Sequence, residues 1–287
     1  MCDCKGASSL YLIVMNRFIT LAASFGMAAA IARADSGPAK EPPSRAEWLQ
    51  SSTHYQAGAP LLTALRIKME KGWHTYWRNP GAGGMPLSIK WTLPPGWRAG
   101  EVQFPVPISF TTGELAGYGY EESVLLPIEI FPPANAKGDA EVSASFSWLT
   151  CNDDQCLPGK ADLTLRWKIG DDQQTADHQE MIAAWHAIPE MVAEAILELS
   201  PADKNSWQLR LKLPEGIACD PNTSDFFPAT PDVIAAGAAI QFSREGEWWL
   251  AKVPRSDYAD AAPKLLDLVI AGKGTPNPIW VTTQPSR

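Results

Sequence analysis

The chain has 287 residues, enough for two domains of ordinary size, and its hydrophobic and charged fractions of 45% and 20% are those of a globular protein. Its net charge of −8 argues against nucleic acid or an anionic membrane surface as a partner. The 12 Trp and 25 Pro residues favour short β-strands, because Pro breaks helices and aromatic residues are enriched in strands.

The first 34 residues are typical of an export signal. Arg17 precedes an apolar run from Phe18 to Ala32, and Ala32-Arg33-Ala34 offers small residues at the two positions that signal peptidase reads. Met15 is a candidate for the true start. The alternative is a membrane anchor, for which the run is short. Removing residues 1–34 takes away three basic residues and one acidic residue, so the expected mature, soluble protein has a net charge of −10.

Residues 35–45 are polar and predict a flexible start, and residues 46–170 carry short apolar runs bounded by Pro and Gly. About seven strands at this spacing predict an antiparallel, immunoglobulin-like sandwich. The clearest predicted strands are Leu61–Met69, Gly72–Arg78, Leu87–Leu93, Ser123–Phe131, Ala140–Thr150 and Ala161–Trp167.

Residues 171–189 predict a linker and a short helix that Thr175 or Asp177 caps and that ends before Pro189. Residues 190–287 predict a second, smaller β domain, with a hairpin turn at Arg244-Glu245-Gly246. Its predicted strands are Trp207–Leu213, Ala238–Phe242, Trp248–Val253 and Leu265–Ile270. The predicted fold class is therefore all-β: an immunoglobulin-like β-sandwich, a short helix and a second β domain.

Five cysteines are present. Cys2 and Cys4 lie within residues 1–34, before the candidate start at Met15, which leaves Cys151, Cys156 and Cys219 in the expected mature protein. An exported protein meets an oxidising compartment, so a Cys151–Cys156 bond is possible. Closing so small a loop stabilises a fold by roughly 2 kcal/mol, which is a weak structural reason for the bond. Spacing alone leaves a structural and a redox-active bond equally open. No second pair matches the two cysteines and the four His are scattered, so no metal or cofactor is predicted.

The cysteine pair follows one predicted strand and precedes another, which places it at an exposed edge of the sandwich. A partner thiolate can approach the S–S bond there. Asp153 and Asp154 lie between the two cysteines, and their charge disfavours a thiolate. This pattern favours a pair that reacts only with a docked partner, although two Asp residues also suit a plain solvated turn.

Two aromatic stretches are further candidates. In the strand that begins at Gly72, His74 and Tyr76 share the face opposite Trp73 and Trp77, and they can line a site or form a solvated polar face. In the second stretch, Tyr118 and Tyr120 alternate with glycines and can cover a neighbouring site or form a packed aromatic corner.

Three motifs together resemble the N-terminal periplasmic domain of the thiol:disulfide interchange protein DsbD, and most of all its ScsB-like, copper-sensitivity-suppressor branch. They are Gly-Trp-His-Thr-Tyr-Trp-Arg-Asn-Pro-Gly at 72–81, Gly-Tyr-Gly-Tyr-Glu at 117–121 and Trp-Leu-Thr-Cys-Asn-Asp-Asp-Gln-Cys-Leu-Pro-Gly at 148–159. The similar framework covers about 45–170, with Phe226-Phe227-Pro228 as a weaker match.

The resemblance implies an immunoglobulin-like sandwich with one redox-active pair, Cys151 and Cys156, of which Cys156 is favoured for the mixed disulfide with partners. It implies that Tyr118 and Tyr120 belong to an aromatic cap and that His74 and Tyr76 line the site. In that family, electrons pass to oxidised periplasmic proteins such as disulfide isomerases or cytochrome c maturation factors.

Family members continue into a membrane domain and a thioredoxin-like domain, whereas this sequence ends at Arg287 without either. We therefore expect a separately encoded, membrane-embedded DsbD-like electron donor and a thioredoxin-fold periplasmic recipient. The alternative is a non-catalytic β-sandwich module that binds a protein partner or copper and has a structural disulfide.

Overall fold

The structure is a computed structural model that describes residues 42–260, 263 and 265–283. The predicted signal peptide at 1–34, with Cys2, Cys4 and Met15, and most of the expected flexible start at 35–45 lie outside these residues. In the described part of the chain, no helix is both long and apolar enough to cross a membrane.

The described residues form nineteen strands and one short helix, α1 (His178–His186). The strands before the helix are β1 (Ser44–Gln50), β2 (His54–Tyr55), β3 (Leu61–Met69), β4 (His74–Gly81), β5 (Ser88–Thr92), β6 (Arg98–Ala99), β7 (Ile108–Thr112), β8 (Leu115–Glu121), β9 (Ser123–Phe131), β10 (Ala140–Cys151) and β11 (Cys156–Ile169). The strands after it are β12 (Glu190–Met191), β13 (Ile196–Asp203), β14 (Ser206–Lys212), β15 (Asp225–Pro228), β16 (Ser243–Glu245), β17 (Trp248–Pro254), β18 (Asp267–Ala271) and β19 (Ile279–Thr282).

Strands β1 to β11 form two facing sheets, which we call the first sandwich. One sheet has the order β1-β3-β9-β6 and the other the order β2-β11-β10-β4-β8-β7, with β5 also paired to β10. Trp77, Phe146 and Trp167 fill the core between them. Alternation along β11 buries Leu165 and Trp167 and exposes the residues between them. The predicted immunoglobulin-like, all-β class is confirmed.

Strands β12 to β19 form a second pair of sheets, which we call the second sandwich, in the orders β12-β19-β18-β15 and β13-β14-β17-β16. Strand β18 is buried on both faces. Leu268 and Ile270 pack into the core of the second sandwich, and Val269 and Ala271 pack into the core of the first. Both sandwiches lie in one compact unit of the described chain, and the domain boundaries predicted at 170 and 190 stay a prediction.

All six strands predicted before the helix are present, and the bounds of β3 and β9 match the prediction. The predicted strand Ala161–Trp167 is too short, because β11 already starts at Cys156. Pro158 and Gly159 resemble turn residues, yet both lie in the strand. The Trp148 indole packs directly on Gly159 and leaves no space for a Cβ there.

The predicted strand Ala238–Phe242 is wrong, because strand β16 starts only at Ser243. Gly237 has a positive φ of 72°, and the Ala238 N–H donates to the Ala235 carbonyl in a turn. The apolar alternation of this segment reflects a buried loop, in which Ile240 and Phe242 enter the core of the second sandwich. The predicted helix is present as α1, with Asp177 at its N-cap.

A buried hydroxyl network fixes the hairpin of β10 and β11 against β1. The Ser44 hydroxyl lies 2.7 Å from the Thr150 hydroxyl and accepts a 2.9 Å hydrogen bond from the Trp148 indole N–H. All three side chains are buried. If one partner of such a network is removed, a buried polar group is left without a hydrogen bond, and the folded state loses stability. The network therefore fixes the end of β10 that leads into Cys151.

We expect Ser44→Ala to lower the free energy of unfolding by about 1–3 kcal/mol, because the buried Trp148 N–H and Thr150 hydroxyl lose their partner. Urea denaturation measures the change. The matched control is Ser143→Ala, which removes a hydroxyl from an exposed Ser–Thr pair with Thr164. The control is expected to change stability by less than about 0.5 kcal/mol. Equal losses in the two variants would contradict this role of Ser44.

Candidate functional site

The candidate site lies at the end of the β10–β11 hairpin. Cys151 and Cys156 are directly opposite each other in the antiparallel register and form a disulfide, with an S–S distance of 2.02 Å and a Cα–Cα distance of 4.1 Å. Between them, the Asn152 side-chain oxygen accepts hydrogen bonds from the backbone N–H groups of Asp154 and Gln155. The bond therefore closes a tight four-residue turn.

The two cysteines differ sharply in exposure. Cys151 is 0% exposed, whereas Cys156 is an exposed residue. An incoming thiolate attacks one sulfur along the S–S axis and expels the other. In an exchange reaction, this difference in exposure would favour attack at Cys156, with Cys151 as the leaving sulfur.

Strand β4 supplies the side chain that contacts the buried sulfur. The Tyr76 hydroxyl donates a hydrogen bond to Cys151 Sγ over 3.1 Å. Burial raises the pKa of the Tyr76 phenol, against a smaller opposing effect of a hydrogen bond with Thr112. The phenol therefore stays protonated at neutral pH and keeps its donor hydrogen. A donor aimed at the leaving sulfur stabilises the thiolate that forms when the disulfide opens.

His74 is the residue of β4 that pairs with Cys151 in the sheet. Its ring is buried, and burial lowers the pKa of the imidazole, with Glu121 and Asp153 acting in the opposite direction. The imidazole is therefore neutral at neutral pH. The hydrogen bond from Tyr76, and not an imidazolium charge, is the feature that stabilises a Cys151 thiolate.

Phe110 on β7 covers these two side chains. Its ring centroid lies 3.9 Å from that of His74 and 5.7 Å from that of Tyr76. Strand β8 makes room for the ring, because a Cβ on Gly117 would lie 2.6 Å from a Phe110 ring atom. Gly84 packs against the Tyr76 ring in the same way, without space for a Cβ. Phe110 thus covers the two side chains of β4 that lie next to the buried Cys151.

Tyr118 and Tyr120 do not lie on this face, which corrects the expectation that they cover the cysteines. Tyr120 pairs with Thr75 in the register, and both tyrosines enter the core of the first sandwich. The Tyr120 hydroxyl donates to the Pro105 carbonyl. Side chains alternate across a strand, so the intervening Gly119 is the residue on the Tyr76 side. The two tyrosines form the packed aromatic corner that was the alternative.

Two residues of the site, Phe110 and Thr112, were missed by the sequence reasoning. The Thr112 hydroxyl lies 3.3 Å from the His74 ring nitrogen Nε2. A usable signal was present, because the Gly113-Glu114 turn predicts a hairpin that would place Phe110 opposite Gly117. An aromatic residue opposite a glycine often lies across it.

In the described residues, no group of three or more His, Cys, Asp or Glu side chains is arranged to hold a metal ion. Cys219, the remaining cysteine of the described chain, is partly buried in the second sandwich and not bonded to another cysteine. Burial raises the pKa of its thiol, while hydrogen bonds with Thr275 and Ser224 act in the opposite direction. This environment is that of an unreactive thiol.

Comparison with known families finds a match within the first sandwich. Residues 45–167 match the family described as "Thiol:disulfide interchange protein DsbD, N-terminal". This segment, which is less than half of the chain, is similar to the N-terminal domain of DsbD. It contains both cysteines of the disulfide together with His74, Tyr76 and Phe110.

Among solved structures, the N-terminal periplasmic domain of ScsB from Proteus mirabilis matches with a TM-score of 0.58 and 21% identity, over 85% of this chain and 93% of that one. Spo0M from Bacillus subtilis, a sporulation control protein, matches at 9% identity over 80% of each chain with a TM-score of 0.24. No curated protein sequence matches the chain significantly. The likeness to the ScsB domain shows a shared fold that extends beyond the DsbD-like segment.

We expect Tyr76→Phe to slow reduction of the Cys151–Cys156 disulfide by dithiothreitol about tenfold, because the leaving Cys151 sulfur loses a hydrogen bond. The second-order rate constant at fixed pH measures this. Tyr120→Phe is the matched control: it removes a buried hydroxyl from the opposite face of the sheet and should leave the rate constant unchanged. An unchanged rate in Tyr76→Phe, or equal slowing in both variants, would contradict the role of the phenol.

Proposed function

We propose that this protein is an exported thiol–disulfide exchange protein that passes electrons to oxidised periplasmic proteins through Cys151 and Cys156. The observation that carries the proposal is the asymmetric disulfide inside a DsbD-like domain. One sulfur is exposed, and the other is buried beside the Tyr76 hydroxyl. A disulfide with only a structural role would need neither an exposed sulfur nor a hydrogen-bond donor beside the buried sulfur.

The proposed reaction begins with the reduced protein. The Cys156 thiolate attacks one sulfur of a recipient disulfide, and the other recipient sulfur leaves as a thiolate. The Cys151 thiolate then attacks the Cys156 sulfur of this mixed disulfide. The Cys151–Cys156 bond forms, the recipient dithiol leaves, and two electrons have passed to the recipient.

Recharging runs the same steps with a dithiol donor. A donor thiolate attacks the exposed Cys156 sulfur, and Cys151 leaves as a thiolate that the Tyr76 hydroxyl stabilises. The second donor thiolate attacks the donor sulfur of the mixed disulfide and releases reduced Cys156. The donor ends as a disulfide, so atoms and electrons balance.

The partners follow from the family. We propose a membrane-embedded, DsbD-like donor and a thioredoxin-fold recipient in the periplasm. The similar solved structure is a periplasmic domain of ScsB, which supports the same compartment here. The export signal predicted at residues 1–34 agrees with this compartment. Cytochrome c maturation and copper tolerance are processes that such an exchange protein could serve.

The buried surroundings of Cys151 restrict which reactions occur. Phe110, His74 and Tyr76 close the side of Cys151, so attack proceeds through Cys156 from the solvent side. Asp153 and Asp154 lie exposed in the turn beside Cys156. Their negative charge disfavours a Cys156 thiolate and the approach of small anionic thiols, whereas a docking protein can supply compensating positive charge.

The proposal predicts which single-cysteine variant traps a partner. Cys151→Ala keeps the exposed Cys156 and should accumulate a mixed disulfide with the recipient in periplasmic extracts, because no second thiol can resolve it. Cys156→Ala keeps only the buried Cys151 and should trap at least about tenfold less, the ratio that a local opening of about 1.4 kcal/mol imposes. Non-reducing gels and mass spectrometry quantify and identify the adduct.

The control for this experiment is Cys151→Ala/Cys156→Ala, which retains Cys219. Trapping by Cys151→Ala that does not exceed trapping by this double variant would contradict electron transfer through the pair. It would favour the alternative of a binding module with a structural disulfide.

A further inference from the structure

The hairpin that carries Phe110 (β7 and β8, Ile108–Glu121), called the Phe110 hairpin below, joins the sheet of the first sandwich through β8. Strand β8 pairs with β4 from His74 to Tyr76, and the pairing is then interrupted up to Gly81, which lies opposite Gly117. Within the described chain, β7 pairs with β8 alone. The position of Phe110 therefore depends on what holds β8.

The second sandwich contacts β8 from behind. The Gly237 backbone N–H donates a 3.1 Å hydrogen bond to the Tyr118 hydroxyl. The Phe227 ring packs edge-on against Tyr118, with ring centroids 6.1 Å apart. Gly237 also lies against Ala116, since a Cβ at Gly237 would lie 2.5 Å from the Ala116 Cβ. Its φ of 72° likewise favours glycine.

The same part of the second sandwich is anchored to β4, the strand of Tyr76. The Asn79 side-chain amide donates a 2.7 Å buried hydrogen bond to the Pro228 carbonyl. Pro228 ends β15, and the loop that follows leads to Gly237. The second sandwich therefore bridges the strand that bears the Tyr76 phenol and the strand that supports Phe110.

Tyr118 and Phe110 lie on opposite faces of one two-stranded hairpin. Tyr118 is opposite Ser109 in the register, and Phe110 is opposite Gly117. Because these positions are adjacent along both strands, a shift of the backbone at Tyr118 displaces the ring of Phe110.

We propose that Tyr118 is a positioning residue: its hydrogen bond with Gly237 lets the second sandwich hold the Phe110 hairpin closed over Cys151. The second sandwich thereby gains a role in the site although it lies outside the DsbD-like segment. The inference concerns access to Cys151 and stands on its own geometry; its importance for electron transfer rests on the proposed function.

The test measures access to Cys151 in the full chain with Cys156→Ser, so that Cys151 is a free thiol. Iodoacetamide labels it, and mass spectrometry follows the modified peptide over time. Adding Tyr118→Phe should raise the labelling rate about three- to tenfold, the change in an opening equilibrium when one ordinary hydrogen bond is lost. Labelling of Cys219 in the same sample should not change, since the hairpin opens locally.

The matched control is Tyr55→Phe, which removes a partly buried hydroxyl that donates to the Gly138 carbonyl elsewhere in the first sandwich. Its labelling rate should stay within about twofold of the parent, because this bond does not hold the hairpin. Labelling is repeated at low urea concentrations. Local opening gives a rate nearly independent of urea, whereas global unfolding gives a steep rise.

Gly237→Ala provides a second variant, because its methyl group would press on Ala116 and should also speed labelling of Cys151. An unchanged rate in both variants would overturn the proposal. The proposal would also be overturned if Tyr55→Phe raised the labelling rate as much, if labelling of Cys219 rose as well, or if the rate rose steeply with urea. Each of these results would show general destabilisation. Labelling requires no redox partner, so a protein that fails to trap a recipient can still show the Tyr118 effect, and the two proposals fail separately.

Discussion

The register of three neighbouring strands, β11, β10 and β4, is the constraint on which the site depends. It places Cys156 opposite Cys151 and Cys151 opposite His74 in one row across the sheet. Side chains alternate between the faces of a sheet, so a slip of one residue would turn Cys151 toward the core and separate it from Tyr76. The buried network of Ser44, Trp148 and Thr150 fixes this register from the core side.

The two faces of the sheet that contains β4 and β10 have different roles. The core face of β10 and β4 holds the first sandwich together through Trp77, Phe146 and Trp148. The outer face carries the disulfide, and side chains of neighbouring strands of the same sheet shelter it, above all the Phe110 ring of β7. Glycines on the underlying strand allow that close approach, at Gly117 most clearly. The result is a disulfide in which Cys156 is exposed and Cys151 is buried beside a hydrogen-bond donor.

Much of this could be predicted from the sequence, because the relevant signals are local. Strands are predicted by the alternation in β11 and by the apolar runs of β3 and β9, and a hairpin is predicted by the spacing of the cysteines. These signals need little reference to the rest of the chain. His74 and Tyr76 were placed on one face by the period of a strand, and the structure brings both to Cys151. The start of β11 was predicted too late in the sequence, because Pro158 and Gly159 resemble turn residues.

What the sequence could not reveal depends on contacts between distant segments. Tyr118 and Tyr120 share a glycine-rich stretch that suits a cover, but pairing with Thr75 turns both toward the core. Phe110 covers the site only because β7 pairs with β8, which places the Phe110 ring over Gly117. The segment Ala238–Phe242 alternates like a strand, and its apolar residues are buried by a loop whose path Gly237 determines.

The central claim is that the Cys151–Cys156 disulfide is redox-active, and its reduction potential tests this most directly. Equilibration of the purified protein with glutathione buffers, with the fraction reduced read by mass spectrometry, gives the value. The account predicts a potential above about −300 mV, in the range of thioredoxin-fold couples, and exchange with a purified thioredoxin-fold protein. A potential well below about −300 mV, together with no such exchange, would contradict it and identify a structural bond.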